Sequence, residues 1–116
     1  MSLTLPLVAL GGALGSVLRY LFVSAIGAPW GTLAVNVIGS FAIGVIFVLL
    51  APRGGWQPFL MTGVLGGFTT FSAFSLDTLK LIQSGQTIQA AAYVLGSVLL
   101  SLTFVALGVA LAKGFP

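Results

Sequence analysis

Three hydroxyls spaced four residues apart, Tyr93, Ser97 and Ser101, are the first feature of this chain able to do chemistry. On a helix that spacing sets them in one stripe along about two turns. Serines in apolar helices also back-bond to their own carbonyls or serve as small packing residues, and spacing alone leaves both readings open. Tyr93 at the head of the stripe points towards a wet track. Thr32 and Asn36 repeat the four-residue step in another apolar stretch. An amide there must satisfy two donors and an acceptor or lose several kcal/mol, and a hydrogen bond to a neighbouring helix is its plainest use. Phe71 and Phe74 stand three apart in the run Phe71-Ser72-Ala73-Phe74-Ser75. Core packing is the ordinary use of such a pair. The alternative is that a ring edge, the positive rim of the quadrupole, turns inward and solvates a small anion. Hydroxyl, amide and phenol donors carry no fixed charge, which suits an anion that must pass and not be held.

Two charged residues accompany this set. Arg19 is the one basic residue not easily placed in a loop; it either snorkels to the headgroups or sits at a vestibule and raises the local anion concentration. Asp77 has Lys80 one turn on, and as an exposed pair they would contribute little. With no Cys, no His and Asp77 as the single acidic side chain, the chain has no thiolate, imidazole base, carboxylate pair or metal-ligand cluster. That leaves no basis for an enzyme. The net charge of +3 is spread singly over Arg19, Arg53, Lys80 and Lys113 against Asp77, not clustered on one face as a nucleic-acid surface requires.

The elements that must position these groups follow from the scarcity of charge. Only 4% of the 116 residues are charged and 59% are hydrophobic, where a soluble surface needs about 25% charged residues. Four apolar stretches, at about 3–26, 32–50, 57–82 and 88–111, nearly exhaust the chain, so the sequence predicts a single all-α membrane domain of four spans with no extramembrane domain. Gly27-Ala28-Pro29, Ala51-Pro52-Arg53-Gly54-Gly55 and Gln83-Ser84-Gly85-Gln86 read as loops. Trp30 and Trp56 stand where interfacial aromatics are expected. The N-terminus lacks a basic n-region, so the first span reads as retained and not as a signal peptide. Gly96, Ala92, Gly108 and Ala112 read as helix-packing contacts.

The third span is the odd one. Gly63, Gly66 and Gly67 lead into Phe68-Thr69-Thr70-Phe71-Ser72, poor helix interior, and the sequence predicts a break near 66–70. In lipid such a break is tolerated only where protein covers the freed backbone groups or where they line a cavity. Asn36 is a candidate to satisfy them. With four spans, Arg53 and Lys113 fall on the side of the termini, Lys80 and a snorkelling Arg19 on the other. The positive-inside bias is therefore close to nil, which allows insertion both ways round and an antiparallel homodimer from one sequence.

Taken together, these segments resemble the Fluc (CrcB-type) fluoride channel family. The likeness runs through Gly11-Gly12-Ala13-Leu14-Gly15-Ser16-Val17-Leu18-Arg19-Tyr20, through Gly31-Thr32-Leu33-Ala34-Val35-Asn36-Val37-Ile38-Gly39-Ser40-Phe41, and most specifically through Thr62-Gly63 and Gly66-Gly67-Phe68-Thr69-Thr70-Phe71-Ser72-Ala73-Phe74-Ser75. The resemblance implies a dual-topology antiparallel homodimer in the cell (inner or plasma) membrane, with two fluoride pores each built from both subunits. It implies that Phe71 and Phe74 line the pores, that Asn36, Thr32 and Ser72 line or support the path, and that Tyr93, Ser97 and Ser101 form a polar track. It places Arg19 at the vestibule, and the backbone carbonyls of Gly66 and Thr69 on a structural sodium ion at the dimer interface. It implies no organic cofactor and no nucleic acid. Two departures stand out: the family often has Thr where Ala73 stands and Glu where Asp77 stands. Two rivals are a small multidrug exporter, which needs an ionisable carboxylate that spans one and two lack, and a structural subunit whose polar residues only hold helices together.

Overall fold

The computed structural model describes residues 3–50 and 54–114. Arg53, with Ala51 and Pro52 of the expected second loop, lies outside the described residues. Helices α1 (Thr4–Ile26) and α2 (Trp30–Leu50) are followed by a short 3-10 turn, Gly54–Trp56. A π-wound stretch, Pro58–Leu65, runs into a single α-turn, Gly66–Phe68, and the two are called α3 here; α4 spans Ser72–Gln83 and α5 Thr87–Lys113. The apolar stretches Thr4–Ile26, Trp30–Leu50, Pro58–Gln83 and Thr87–Lys113 are each long and apolar enough to cross a membrane.

The turns have local causes. α1 stops at Gly27, whose φ of 93° is costly for any residue with a Cβ. α4 stops in a Schellman turn: the Gln86 amide donates to the Leu81 carbonyl at 2.9 Å and the Gly85 amide to Ile82 at 3.1 Å. Gly85 supplies the positive φ, 82°, that this turn demands.

Helices in lipid gain little from burying apolar side chains, so close backbone approach has to hold them together. Two glycine seams provide it. Along the first, a Cβ at Gly63 would stand 2.9 Å from Gly11 Cα, and one at Gly67 would stand 2.6 Å from the Gly12 carbonyl oxygen. Gly15 on α1 is equally filled, by the Val64 carbonyl and the Phe68 amide. Along the second, Gly44 of α2 faces Val105 and Val109 of α5, while Gly108 faces Phe41 and Val45. A small aromatic-aliphatic core of Phe74, Leu81, Ala90 and Tyr93 joins α4 to α5, with Leu33 of α2 against it. Outside, large apolar side chains such as Leu5, Leu14, Ile88, Leu99 and Leu102 are exposed.

Candidate functional site

Between Phe68 and Ser72 the chain leaves the helix: Thr69 is extended, with φ −95° and ψ 158°. Thr69–Phe71 thus interrupt Pro58–Gln83, towards the C-terminal edge of the stretch whose composition argued against helix.

Each backbone group freed there needs a partner, because water is not available in hydrocarbon. Leu65 O accepts the Thr69 amide at 3.0 Å and the Thr69 hydroxyl at 2.9 Å. Asn36 faces Thr70 with both ends of its amide: Nδ2 donates to the Thr70 carbonyl at 2.9 Å and Oδ1 accepts the Thr70 amide at 2.8 Å. Arg19 Nε donates to the Gly67 carbonyl at 2.9 Å. The Ala73 amide, in the first turn of α4, donates to the Thr70 hydroxyl at 3.2 Å. This pattern diverts two amides from their helical acceptors. Thr70 N, the i+4 donor for Gly66, goes to Asn36, and Ala73 N, the i+4 donor for Thr69, goes to the Thr70 side chain.

Beside the break lies a cleft of about 460 Å³. Asn36 and Ser40 of α2, Gly66, Thr69 and Phe71 at the break, Phe74 of α4, and Ser97 and Ser101 of α5 line it, among aliphatic side chains that include Ile43, Leu65 and Leu102. Among the described residues, no charged side chain lines it. Phe71 is 77% exposed on its open side, whereas Phe74 is buried behind it, their ring centroids 5.5 Å apart. The Ser97 hydroxyl is buried and, among the described residues, is the one buried side-chain polar atom without a hydrogen-bond partner.

The structure therefore gathers Asn36, Phe71, Phe74, Ser97, Ser101, Gly66 and Thr69 at one cleft. It does not bring Thr32, Ser72, Tyr93 or Arg19 to that wall. Ser72, the first residue of α4, is exposed, and its hydroxyl is turned to that of Thr70 at 3.3 Å. Tyr93 is fully buried: its phenol donates to Asp77 Oδ2 at 3.2 Å, and its ring packs between Phe74, centroid distance 5.3 Å, and Trp30, 5.9 Å. The Thr32 hydroxyl faces the same phenol. These residues back the cleft from behind. The expected surface pair of Asp77 with Lys80 does not form, since Asp77 turns inward to Tyr93 while Lys80 is exposed. Gly39 and Ser40 also line the cleft. Their positions three and four after Asn36 put them on the same helical face, and that spacing is the sequence signal for them.

Fold and cleft define a small, multi-pass, all-helical membrane protein with a largely apolar cleft that carries a few uncharged polar groups. The family model described as CrcB-like protein, Camphor Resistance (CrcB), matches residues 6–109, and the chain belongs to that family. It is 53% identical to a protein of Paracoccus denitrificans, with 92% of each chain covered. It is 51% identical to one of Rhizobium meliloti, covering 92% of this chain and 94% of that one. It is 48% identical to one of Helicobacter acinonychis, with 99% of each chain covered. All three relatives are named fluoride-specific ion channel FluC. The family is thus one of channels and not of enzymes.

Proposed function

We propose that this chain forms a passive, fluoride-selective channel of the cell membrane that exports cytoplasmic fluoride and so reduces its toxicity. Fluoride enters cells as the neutral acid HF and dissociates inside, where the anion is trapped because charge is costly in hydrocarbon. A pore without any coupling ion empties it, since an interior-negative potential favours outward anion movement by about 2.3 kcal/mol per charge per 100 mV. The observation that carries this reading is the buried, unpartnered Ser97 hydroxyl on a cleft walled by Phe71, Phe74 and Asn36. A donor without an acceptor suits a transient anion, and ring edges can complete its shell. Small, fixed donors in a narrow path replace the tight hydration of fluoride and leave a larger halide outside.

The chain works as an antiparallel dual-topology homodimer with two pores, each closed by the partner. An open cleft edged by a 77% exposed Phe71 supports this, because one chain supplies only one wall. Thr32 and Tyr93 support the path from behind, and Ser72 contributes through Thr70. The resemblance places a structural sodium ion at the interface. The carbonyls of Gly66 and Thr69 suit such an ion: their helical donors are spent on Asn36 and on the Thr70 hydroxyl, and a hard cation takes carbonyl oxygen. Sodium would supply positive charge to hold those oxygens together.

Vesicles loaded with potassium fluoride test the reading. Release followed with a fluoride electrode is expected from the wild-type protein, with no matching release of chloride. Phe71→Ile is expected to abolish fluoride release while the dimer persists; unchanged flux in that variant refutes the ring-edge role.

A further inference from the structure

Arg19 entered as a charge that either snorkels or attracts anions; its geometry gives it other work. It stands four residues after Gly15, on the face of α1 that the glycine seam presses onto α3. Side chains on a helix lean towards its N-terminus, which here is the turn of Gly15 and Ser16, where a Cβ at Gly67 would lie 3.0 Å from the Ser16 amide. Arg19 Nε reaches the Gly67 carbonyl at 2.9 Å in a part-buried position. In an unbroken helix that carbonyl would take the amide of Phe71, but Phe71 lies beyond the extended residue Thr69, outside the helix. Of the other groups at the break, the Thr70 amide and carbonyl are answered from α2 by Asn36, and the Leu65 carbonyl takes both the Thr69 amide and hydroxyl. Among the described residues, the Gly67 carbonyl is the one group of the break that takes a donor from α1.

We propose that Arg19 is a positioning residue: its Nε–H acts as the C-terminal cap of α3, and together with Asn36 on the opposite side it fixes the break that carries Gly66, Thr69 and Phe71. On this account the donor at the ε position matters, and the net charge is secondary. The consequence for conduction rests on the fluoride-channel reading above; the cap itself does not.

Three substitutions separate the two roles, because Gln Nε2 lies as many bonds from Cα as Arg Nε. Arg19→Gln keeps an N–H donor there and removes the charge. Arg19→Lys keeps the charge and moves the nitrogen one bond further out. Arg19→Met keeps the bulk and loses both. Fluoride efflux from vesicles of Arg19→Gln is expected within about threefold of wild type, and that of Arg19→Lys and Arg19→Met to fall about tenfold or more, as for a buried acceptor left unmade. Thermal unfolding should follow the same order, with Arg19→Gln melting close to wild type. Higher flux and melting point in Arg19→Lys than in Arg19→Gln overturn the proposal, as do equal values for the two. Where Arg19→Met does not assemble, the Gln and Lys comparison still decides. An independent measurement on wild-type protein in lipid, the solid-state NMR dipolar coupling between Arg19 15Nε and the Gly67 13C carbonyl, should be present; its absence sinks the cap. A wild-type protein that releases no fluoride sinks the channel reading alone, since coupling and melting order continue to test the cap.

Discussion

Ser97 is a residue whose cost to the fold is visible and whose use, on the proposed reading, is in transport. A buried hydroxyl without a partner loses its hydration and gains nothing in return within the chain. Ser97→Ala should therefore leave stability unchanged or raise it by about 1 kcal/mol, read as the midpoint of thermal unfolding. Loss of a donor to the passing anion should at the same time lower fluoride efflux by about tenfold, the scale of one hydrogen bond to a charged group. A protein destabilised by the change would show instead that the hydroxyl is structural glue. Asn36 is the converse: each end of its amide makes a bond to Thr70, so it holds the break, with one Nδ2 hydrogen left uncommitted beside the cleft it lines. That much was legible in the sequence, because a lone amide in an apolar helix must find a backbone partner. The fate of Tyr93 was not legible. Its spacing with Ser97 and Ser101 put all three on one stripe, but spacing does not tell which end of a stripe meets the cleft and which meets a carboxylate. Asp77, on another helix, settles that by accepting the phenol.

At the scale of elements, composition marked the weak part of the third span, since glycines followed by hydroxyls and a β-branched pair are poor helix interior. It did not reveal the π winding of Pro58–Leu65, in which the Gly66 amide reaches back to Met61. Side-chain periodicity carries no cue to that winding. Nor did it separate glycines that pack from glycines that do not, and the difference is testable. A Cβ at Gly15 would overlap the Val64 carbonyl and stand 2.8 Å from the Phe68 amide, whereas a Cβ at Gly12 would meet nothing within 4 Å. Gly15→Ala is expected to destabilise the protein by about 1–3 kcal/mol, because rigid backbone must shift to make room. Gly12→Ala, three residues away on the same helix, should be neutral or stabilise it by up to about 1 kcal/mol through helix propensity. Equal melting points for the two variants would contradict backbone-to-backbone packing of α1 on α3. Because Arg19 reaches Gly67 from that seam, Gly15→Ala should also disturb the break and lower flux, where Gly12→Ala should not.

For the whole molecule the decisive property is how little charge there is to orient it. Lys80 near the end of α4 and Lys113 at the end of α5 lie at opposite ends of the bundle, and no carboxylate besides Asp77 weighs against them. Orientation follows the distribution of Lys and Arg in short loops, so two added lysines should decide it. Gln83→Lys with Gln86→Lys places them in the exposed turn between α4 and α5; Gly55→Lys with Gly114→Lys places them at the other end, at exposed positions. If each pore needs one chain of each orientation, either double variant expressed alone should insert one way and give fluoride efflux close to background. The two expressed together should restore it, because each supplies the orientation the other lacks. Efflux from one double variant alone, once single-sided labelling of a reporter cysteine has confirmed its uniform orientation, would show that a parallel assembly or a single chain conducts. The antiparallel dimer would then be wrong even though the cleft residues remained the site of passage.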